Sequence, residues 1–174
     1  MIWQASHRAD PFAREIADRH YNRQKIGAPQ FVPPGSCAVF KAETPTGRAF
    51  WVTSAPFAQY VRHAWAGAWV CSAFRNEGAG KASDMIHDAL AATRAKLGEP
   101  PALGMVTFIN RKKVRPIKRR GRDFWGWTWF QVGFHYVGDT AGGLMALQIL
   151  PVAMPAPEPA RGVQTSLFAS RPSQ

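Results

Sequence analysis

Apolar and polar positions along the chain follow two spacings, which together predict a protein of the α/β class. Short continuous apolar runs between turn residues are typical of strands, and recurrence every three to four residues is typical of helices. The second spacing is clearest at Met85, Ile86, Ala89 and Leu90. In chain order the pattern predicts a helix at 11–21, strands at 37–42, 49–54 and 68–74, a helix at 83–97, a strand at 103–109, a short helix at 124–132, and strands at 134–137 and 144–150.

Turn and cap residues set the boundaries of these elements. Asp10 followed by Pro11 is a favourable helix start, and Ser83 is the expected N-cap of the second long helix. The turn at 44–47 joins its flanking strands into a hairpin. We expect one domain at residues 1–150. Prolines and small polar residues dominate 151–174, which predicts a mobile tail or a strap on the surface.

A strand, a glycine-rich loop and a helix follow one another at residues 68–98, an arrangement suited to binding phosphate. Gly78 and Gly80 let the backbone turn tightly and approach a ligand closely. The first N–H groups of the helix have no partners, and the helix dipole favours an anion there. Arg75 and Lys81 add positive charge at either end of the loop. The alternative is an ordinary glycine-rich turn between a strand and a helix.

The charge of the 174-residue chain points to an anionic partner. Lys and Arg number 22 against 11 Asp and Glu, for a net charge of +11. Nucleic acid is the first candidate, followed by the phosphates of CoA or an acidic protein. No apolar run is long enough to span a membrane, and the N-terminus lacks the apolar core of a signal peptide, so we expect a cytoplasmic protein without a membrane partner. Cys37 and Cys71 are interpreted as small buried thiols, and no metal site is predicted.

Positive charge is concentrated in one segment of twelve residues that contains no acidic residue. Its eight basic residues are Arg111, Lys112, Lys113, Arg115, Lys118, Arg119, Arg120 and Arg122. One interpretation is a flexible loop that binds nucleic-acid phosphates, followed by Trp125, Trp127 and Trp129, whose faces could stack on an extruded base. The alternative is a solvated loop followed by tryptophans of the core.

The spacing R-x-x-G-x-G from Arg75 to Gly80 resembles the pyrophosphate-binding signature of the GNAT acyltransferase superfamily. The order of predicted elements over about residues 10–150 is similar to that superfamily, as are Gln131-Val132-Gly133-Phe134 and the final strand pair. Within it, the chain most resembles phage-encoded members, including DNA-modification proteins of the Mom type. The segments that carry this likeness are Arg19-His20-Tyr21-Asn22, Cys71-Ser72-Ala73-Phe74-Arg75-Asn76-Glu77-Gly78 and Thr107-Phe108-Ile109-Asn110-Arg111-Lys112-Lys113-Val114-Arg115. Such proteins often have an aspartate at the position of Asn110.

The resemblance implies a single GNAT-like domain with a mixed, mostly antiparallel sheet flanked by helices. Two central strands would splay apart, here between 72–74 and 106–108, and the thioester of acetyl-CoA or another acyl-CoA would lie in the gap. A backbone N–H in the gap could stabilise the oxyanion of the tetrahedral intermediate. The residues implied to bind the cofactor are Phe74, Arg75, Asn76, Glu77, Gly78, Ala79, Gly80, Lys81, Ala82 and Ser83.

Four residues are candidates for catalysis in that gap. His20 is the first choice as general base, because imidazole titrates near neutral pH; the alternative is a surface residue at a helix end. Tyr21 would share its pocket or pack at the surface. Ser72 would face the thioester or bond within the sheet. Asn110 could orient an acceptor or simply end a strand.

The sequence therefore predicts an acyl-CoA-dependent acyltransferase with a nucleic-acid base, DNA above all, as the favoured acceptor, a reaction that would modify phage DNA. Two alternatives stay open. One is an acetyltransferase for a protein or a small amine. The other is a non-catalytic nucleic-acid-binding protein with the same fold.

Overall fold

A computed structural model describes residues 1–32 and 34–162 of the chain. The α-helices and strands in this part are β1 (Gln4–Ser6), α1 (Pro11–Asp18), β2 (Ser36–Thr44), β3 (Gly47–Ala55), β4 (Trp69–Glu77), α2 (Ala82–Leu97), β5 (Met105–Ile109), β6 (Ile117–Arg119), β7 (Arg122–Phe124), α3 (Trp127–Phe130), β8 (His135–Asp139) and β9 (Met145–Ile149). None of the helices among these residues is both long enough and apolar enough to cross a membrane.

Seven strands form one sheet in the order β1-β2-β3-β4-β5-β9-β8. Every neighbouring pair is antiparallel except β4 and β5, which run parallel because α2 crosses over between them. The predicted α/β domain with a mixed, mostly antiparallel sheet is therefore confirmed. The strands β6 and β7 form a separate two-stranded sheet.

The helix α1 packs on one face of the sheet and begins as predicted. The Asp10 carboxylate accepts a hydrogen bond from the Phe12 N–H, and Pro11 takes the first helical position. Ile16 is fully buried with Phe50 on this face. The helix ends at Asp18, three residues earlier than predicted. The residues after it leave the helical path and bond to the sheet instead.

The helix α2 packs on the opposite face, against the larger core that contains Trp51. Met85, Ile86, Ala89 and Leu90 are all buried, as their spacing predicts. The predicted cap is wrong: Lys81 is the N-cap and caps with no side-chain hydrogen bond. Ser83 is a helical residue whose hydroxyl donates to the Asp84 carboxylate at 3.3 Å.

Three elements differ from the sequence prediction. The strand β1 was not predicted; it adds to the sheet beside β2, next to the fully buried Trp3. The hairpin β6–β7 occupies part of the basic segment, which was expected to be a loop. The helix expected at 124–132 is reduced to α3, because Phe124 ends β7 and Gly126 adopts a left-handed conformation with φ +72°.

Residues 151–161 return across the domain to its first strand. Met154 and Ala160 are buried in the larger core, and Arg94 donates to the Pro155 carbonyl at 2.8 Å. Arg161 then hydrogen-bonds with the backbone of β1. Of the two expectations for this region, a surface strap describes residues 151–161; residues 163–174 lie outside the described part of the chain.

Candidate active site between the parted strands

The parallel strands β4 and β5 pair over only three residues and then part. Their ladder joins Trp69 to Met105 and ends where Cys71 meets Thr107. On its other edge, β4 has a bulge against β3, in which Ser72 is the extra residue. A bulge bends its strand, and the ladder to β5 ends at the residue before it. The predicted gap included 106 and 107, which are in fact paired; it opens instead between 72–77 of β4 and 108–109 of β5.

The segment after α1 enters this gap and bonds to both strands. The Tyr21 hydroxyl donates to the Phe108 carbonyl on β5 at 3.1 Å. The Asn22 side-chain amide donates to the Ser72 carbonyl on β4. These carbonyls would bond to the neighbouring strand if the ladder continued, so Tyr21 and Asn22 supply the partners that the gap removes. Burial is the main cause that raises the pKa of Tyr21, so its hydroxyl stays protonated at neutral pH.

His20 lies beside the gap in a fixed orientation. Its ring stacks on Tyr21 with centroids 4.6 Å apart, and its Nδ1 contacts the Asn22 side-chain oxygen. Since the Asn22 amide nitrogen donates to Ser72, the Asn22 oxygen is the acceptor that faces His20. The Asn22 backbone N–H also lies 3.4 Å from Nδ1. In the neutral ring one nitrogen carries a proton and the other holds a free electron pair.

The environment of His20 favours the neutral imidazole. Burial is the main cause that lowers its pKa, and the nearby positive charge of Arg75 acts in the same direction. Hydrogen bonds with Asn22 and with the Phe74 backbone raise the pKa of His20, but its net shift is still downward. A neutral imidazole with a free electron pair on one ring nitrogen can accept a proton at neutral pH.

A cavity of about 320 Å³ opens between the parted strands. His20, Tyr21 and Ser72 line one side, so three of the four predicted catalytic residues meet here. The opposite wall comes from α3 and the basic segment, through Trp127, Trp129, Arg115, Ile117 and Phe124. Trp129 is held by the core, with its ring 5.8 Å from that of Trp51.

Asn110, the fourth candidate, is used in a turn at the end of β5. Its side-chain oxygen accepts the Lys112 N–H at 3.0 Å, and its carbonyl accepts from Lys113 and Val114. Asn110 lines a neighbouring cavity of about 330 Å³ together with Tyr21 and Ser72. This geometry corresponds to the strand-ending alternative that the sequence left open.

The glycine loop between β4 and α2 is held in shape by Asn76. Its side-chain oxygen accepts the Ala79 N–H at 2.9 Å, and its amide donates to the Gly80 carbonyl at 2.7 Å. Gly78 has φ +89°, and a Cβ there would lie 2.9 Å from the Thr46 carbonyl oxygen. Asn76 also lines the gap cavity, so one residue joins the loop to the gap.

Backbone donors at the start of α2 have no acceptor in the described part of the chain. Within residues 1–32 and 34–162, the N–H groups of Lys81, Ala82 and Ser83 have no hydrogen-bond partner. They are the first donors of a 16-residue helix, where the dipole favours an anion. An anion such as a pyrophosphate could accept hydrogen bonds from these donors. The Lys81 side chain is exposed and pairs with Asp84 at 3.0 Å.

Other members of the predicted cofactor set have different roles. Phe74 lines the gap cavity, and its ring packs against the core, 5.8 Å from that of Trp51. Arg75 bonds to Glu77 at 2.7 Å and to the Arg19 carbonyl, on the α1 side of β4. Glu77 is also bound by two nitrogens of Arg19, at 2.8 and 2.6 Å. Arg19 foremost, and then Arg75, lower the pKa of Glu77 to about 2.

The basic segment forms the hairpin β6–β7 rather than an irregular loop. Its two-residue turn has Arg120 at φ +48° and Gly121 at φ +74°, which is the geometry of a type I′ turn. Arg111 pairs with Asp139 at 2.8 Å. The other seven cations have no acidic partner in the part of the chain that the structure describes, and all are exposed; they are Lys112, Lys113, Arg115, Lys118, Arg119, Arg120 and Arg122.

Sequence reasoning named Glu77 among the cofactor-binding residues and not as the partner of Arg19 and Arg75, and it gave Asn22 no role of its own. Asn22 stands two residues after His20 in the quoted Arg19-His20-Tyr21-Asn22 segment, and that adjacency was the available signal. The described residues contain no group of three or more His, Cys, Asp or Glu that could hold a metal ion. Compared with protein-family models, curated proteins and solved structures, the chain matches none of them.

Proposed function

We propose that this protein is an acyl-CoA-dependent acyltransferase whose reaction takes place between β4 and β5. The observation that carries the proposal is the early end of the β4–β5 ladder, which opens a cavity of about 320 Å³ beside a histidine. The free N–H groups at the start of α2 lie at the end of the same strand, joined to the gap through Asn76. This combination suits a thioester in the gap with its pyrophosphate at the helix start, as the resemblance to GNAT enzymes implies.

The residues of the gap would divide the chemistry between them. The bound acyl-CoA would supply an activated acyl carbonyl. The unprotonated ring nitrogen of His20 would take the proton of the acceptor amine as that amine forms its bond to the carbonyl carbon. Backbone N–H groups of β4 beyond Cys71 would hold the oxyanion. Tyr21, kept protonated by burial, would return a proton to the thiolate when the carbon–sulfur bond breaks.

Nucleic acid is the favoured acceptor in this proposal. Seven exposed cations of the basic segment have no acidic partner among the described residues, and one of them, Arg115, lines the cavity. Mutual repulsion makes such a cluster costly unless an anion binds. A protein or small amine would not need this cluster. A non-catalytic nucleic-acid-binding protein would not need His20 held in one orientation, so that alternative is less well supported.

Substitution of Gly80 tests the cofactor site. A Cβ at Gly80 would have its nearest neighbour, the Met85 sulfur, at 3.5 Å, so Gly80→Ala is a fold-preserving control. We expect Gly80→Val to weaken acetyl-CoA binding at least about tenfold in calorimetry, because its branched side chain blocks approach to the backbone. Gly78 is a poorer choice, since its conformation already requires glycine. Unchanged affinity in a folded Gly80→Val protein would refute the assignment.

Substitution of His20 tests the chemistry. We expect His20→Ala to lower kcat by about 100-fold to 10,000-fold and to leave acetyl-CoA affinity near wild type. Because burial lowers the pKa of His20, the acid limb of the wild-type pH–rate profile should lie below 6.5. The assay is mass spectrometry of nucleosides from DNA incubated with the protein and acetyl-CoA. His87→Ala, at an exposed position, is the control. Wild-type turnover by His20→Ala would exclude the general base.

A further inference from the structure

The hairpin β6–β7 places two like charges directly opposite each other on one of its faces, whereas Lys118 faces Asp123 on the other. In its register Arg119 faces Arg122, and Ile117 faces Phe124, so these four side chains share one face. Like charges opposite each other destabilise a β ladder. Arg120, at the tip, has φ +48°, a conformation that costs a non-glycine residue about 1–2 kcal/mol. Neither the opposed arginines nor the conformation of Arg120 stabilises the hairpin, which suggests that these residues bind a ligand.

The two halves of this face have different neighbours. The apolar half reaches the active-site gap, because Ile117 and Phe124 line its cavity. The charged half lies farther out, where the Arg119 guanidinium sits 4.9 Å from the centre of the Trp127 ring. The Phe124 and Trp127 rings meet edge to face at 6.0 Å. The hairpin is thus anchored at its base by aromatic contacts and presents its arginines at its end.

A second cavity, of about 810 Å³, opens on the charged half. It is lined by Lys118, Arg119, Arg120, Arg122, Phe124 and Trp127. Phe124 and Trp127 also line the gap cavity. The two cavities therefore share an aromatic wall, and a ligand that fills both would place its anionic part among the arginines and another part beside His20.

The chemistry of this outer cavity matches a phosphodiester. Guanidinium groups bind phosphate oxygens in pairs of parallel hydrogen bonds, and two opposed guanidiniums can bind one phosphate from both sides. Aromatic faces beside them favour a stacked base. No carboxylate lines this cavity to compete for the arginines.

We propose that Arg119 and Arg122 form a phosphodiester clip, which binds the phosphate next to the nucleotide whose base enters the gap beside His20. This inference rests on the proposed function for the identity of the acceptor. It assigns the recognition of nucleic acid to two particular arginines of the hairpin, and not to the basic segment as a whole. The clip positions the acceptor; it takes no part in the chemistry.

A charge-matched pair of variants tests the clip. Arg119→Gln/Arg122→Gln removes two charges from it, and Lys25→Gln/Lys96→Gln removes two exposed charges that lie outside the basic segment and line neither cavity. The probe is a short fluorescent single-stranded DNA, and its affinity is measured by anisotropy over a range of salt concentrations. Each lost phosphate contact lowers the slope of log K against log salt by about 0.7. Because the two arginines bind one phosphate, we expect the clip variant to lose about 0.7 from this slope and at least tenfold in affinity, and the control to lose less than threefold.

A competition assay separates the clip from general charge attraction. We expect a dinucleoside monophosphate to displace the probe from the wild-type protein at least tenfold better than the matching nucleosides. This preference should vanish in the clip variant and persist in the control. Circular dichroism of both variants verifies that they are folded. Equal losses in the two variants, or a preference that survives in the clip variant, would overturn the proposal.

Acetyl-CoA also carries phosphates, and calorimetry distinguishes this source. We expect the clip variant to bind acetyl-CoA as tightly as wild type does. A selective loss of acetyl-CoA affinity would mean that the clip serves the phosphates of CoA, and would overturn the assignment to nucleic acid. If wild type binds the DNA probe through the clip and does not bind acetyl-CoA, the transferase proposal fails and the clip survives.

Discussion

Two hairpins with the same two-residue connection are built in opposite ways in this protein. The strands β2 and β3 have nine residues each, and their central residues, such as Phe40 and Trp51, are fully buried. The strands β6 and β7 have three residues each, and only Phe124 is partly covered. Burial of apolar surface explains the first hairpin. It does not explain the second, whose residues are mostly charged and exposed.

The two turns repeat this contrast. The turn of β2–β3 is packed against the glycine loop: the Thr46 hydroxyl donates to the Gly78 carbonyl at 2.8 Å. In the turn of β6–β7, a Cβ at Gly121 would meet no neighbouring segment within 4 Å. One hairpin thus supports the candidate cofactor site through its structure, and the other is free to meet a ligand. A sequence segment with a high energetic cost and few contacts is a good place to look for function.

The largest expected effect is on the buried hairpin. We expect Trp51→Ala to reduce the free energy of unfolding by about 3–5 kcal/mol, because a fully buried indole leaves a large cavity. Replacement of residues 118–123 by Gly and Ser should change it by less than about 1 kcal/mol, as is usual for exposed positions. Denaturant unfolding measures both. Comparable losses would show that the basic hairpin is structural after all.

The second-largest effect is expected from alanine substitution of the glycines at the two turns, Gly47 and Gly121. A Cβ at Gly47 would lie 2.0 Å from the Glu77 carbonyl oxygen, so Gly47→Ala must displace β4 or the turn. We expect it to cost about 1–3 kcal/mol of stability and to weaken acetyl-CoA binding, because the glycine loop follows Glu77. Gly121→Ala meets no neighbour and should cost only the strain of its positive φ, about 1–2 kcal/mol, with acetyl-CoA affinity unchanged. Calorimetry separates the two; equal acetyl-CoA affinities would contradict the link.

Arg19 and Arg75 are paired with Glu77, whereas the hairpin arginines have no acidic partner among the described residues. The pKa of Glu77 falls from 4.5 to about 2 because Arg19 and Arg75 bind its carboxylate. A lowered carboxyl pKa stabilises the fold above pH 4.5, and this contribution is lost as the pH falls towards 2. Because Arg19 is 43% exposed, solvent screens the ion pair and limits its contribution to the free energy of unfolding to about 1 kcal/mol.

We therefore expect Glu77→Gln to lower stability at pH 7 and to flatten the dependence of stability on pH between 4.5 and 2. Urea titrations at several pH values measure both changes. Glu43→Gln is the control, since Glu43 is exposed and has no ion pair within the described residues. If the two variants show the same pH dependence, the Arg19–Glu77–Arg75 network does not stabilise the fold.

The smallest effect concerns the tip of the exposed hairpin. Asparagine tolerates a positive φ better than arginine does, and Asn-Gly is the favoured sequence of a type I′ turn. Arg120→Asn should therefore stabilise the hairpin by about 0.5–1 kcal/mol, although it removes a cation. Slower hydrogen exchange of the Arg119 and Arg122 amides would reveal this gain. Faster exchange would mean that Arg120 makes a stabilising contact in the free protein.

The sequence predicts the parts of the fold that depend on apolar spacing. The buried face of α2 and the long hairpin β2–β3 are recovered because each buries a continuous apolar face. The hairpin β6–β7 escapes prediction because its strands are short and charged, and because Arg-Gly is not a usual turn sequence. The strand β1 escapes because three residues contain too few positions to show an alternation.

The sequence predicts which residues belong to the candidate site, but it does not predict the hydrogen bonds that they make. His20, Tyr21 and Ser72 were all named from the sequence, and they line one cavity. The hydrogen bonds from Tyr21 to Phe108 and from Asn22 to Ser72 join residues about 90 and 50 positions apart. Contacts of this range depend on where β4 and β5 part, which follows from the bulge at Ser72 and leaves no local signal in the sequence.

The strap that returns to β1 has a consequence for how copies of this protein can associate. The Ala5 N–H donates to the Arg161 carbonyl, and the Arg161 N–H donates to the Trp3 carbonyl, both at 2.9 Å. These bonds cover the outer edge of the seven-stranded sheet, where an uncovered strand can pair with the same strand of another molecule. A chain ending at residue 150 would expose that edge together with the apolar surface under Met154 and Ala160. Such a shortened chain should therefore aggregate at concentrations where the full chain does not.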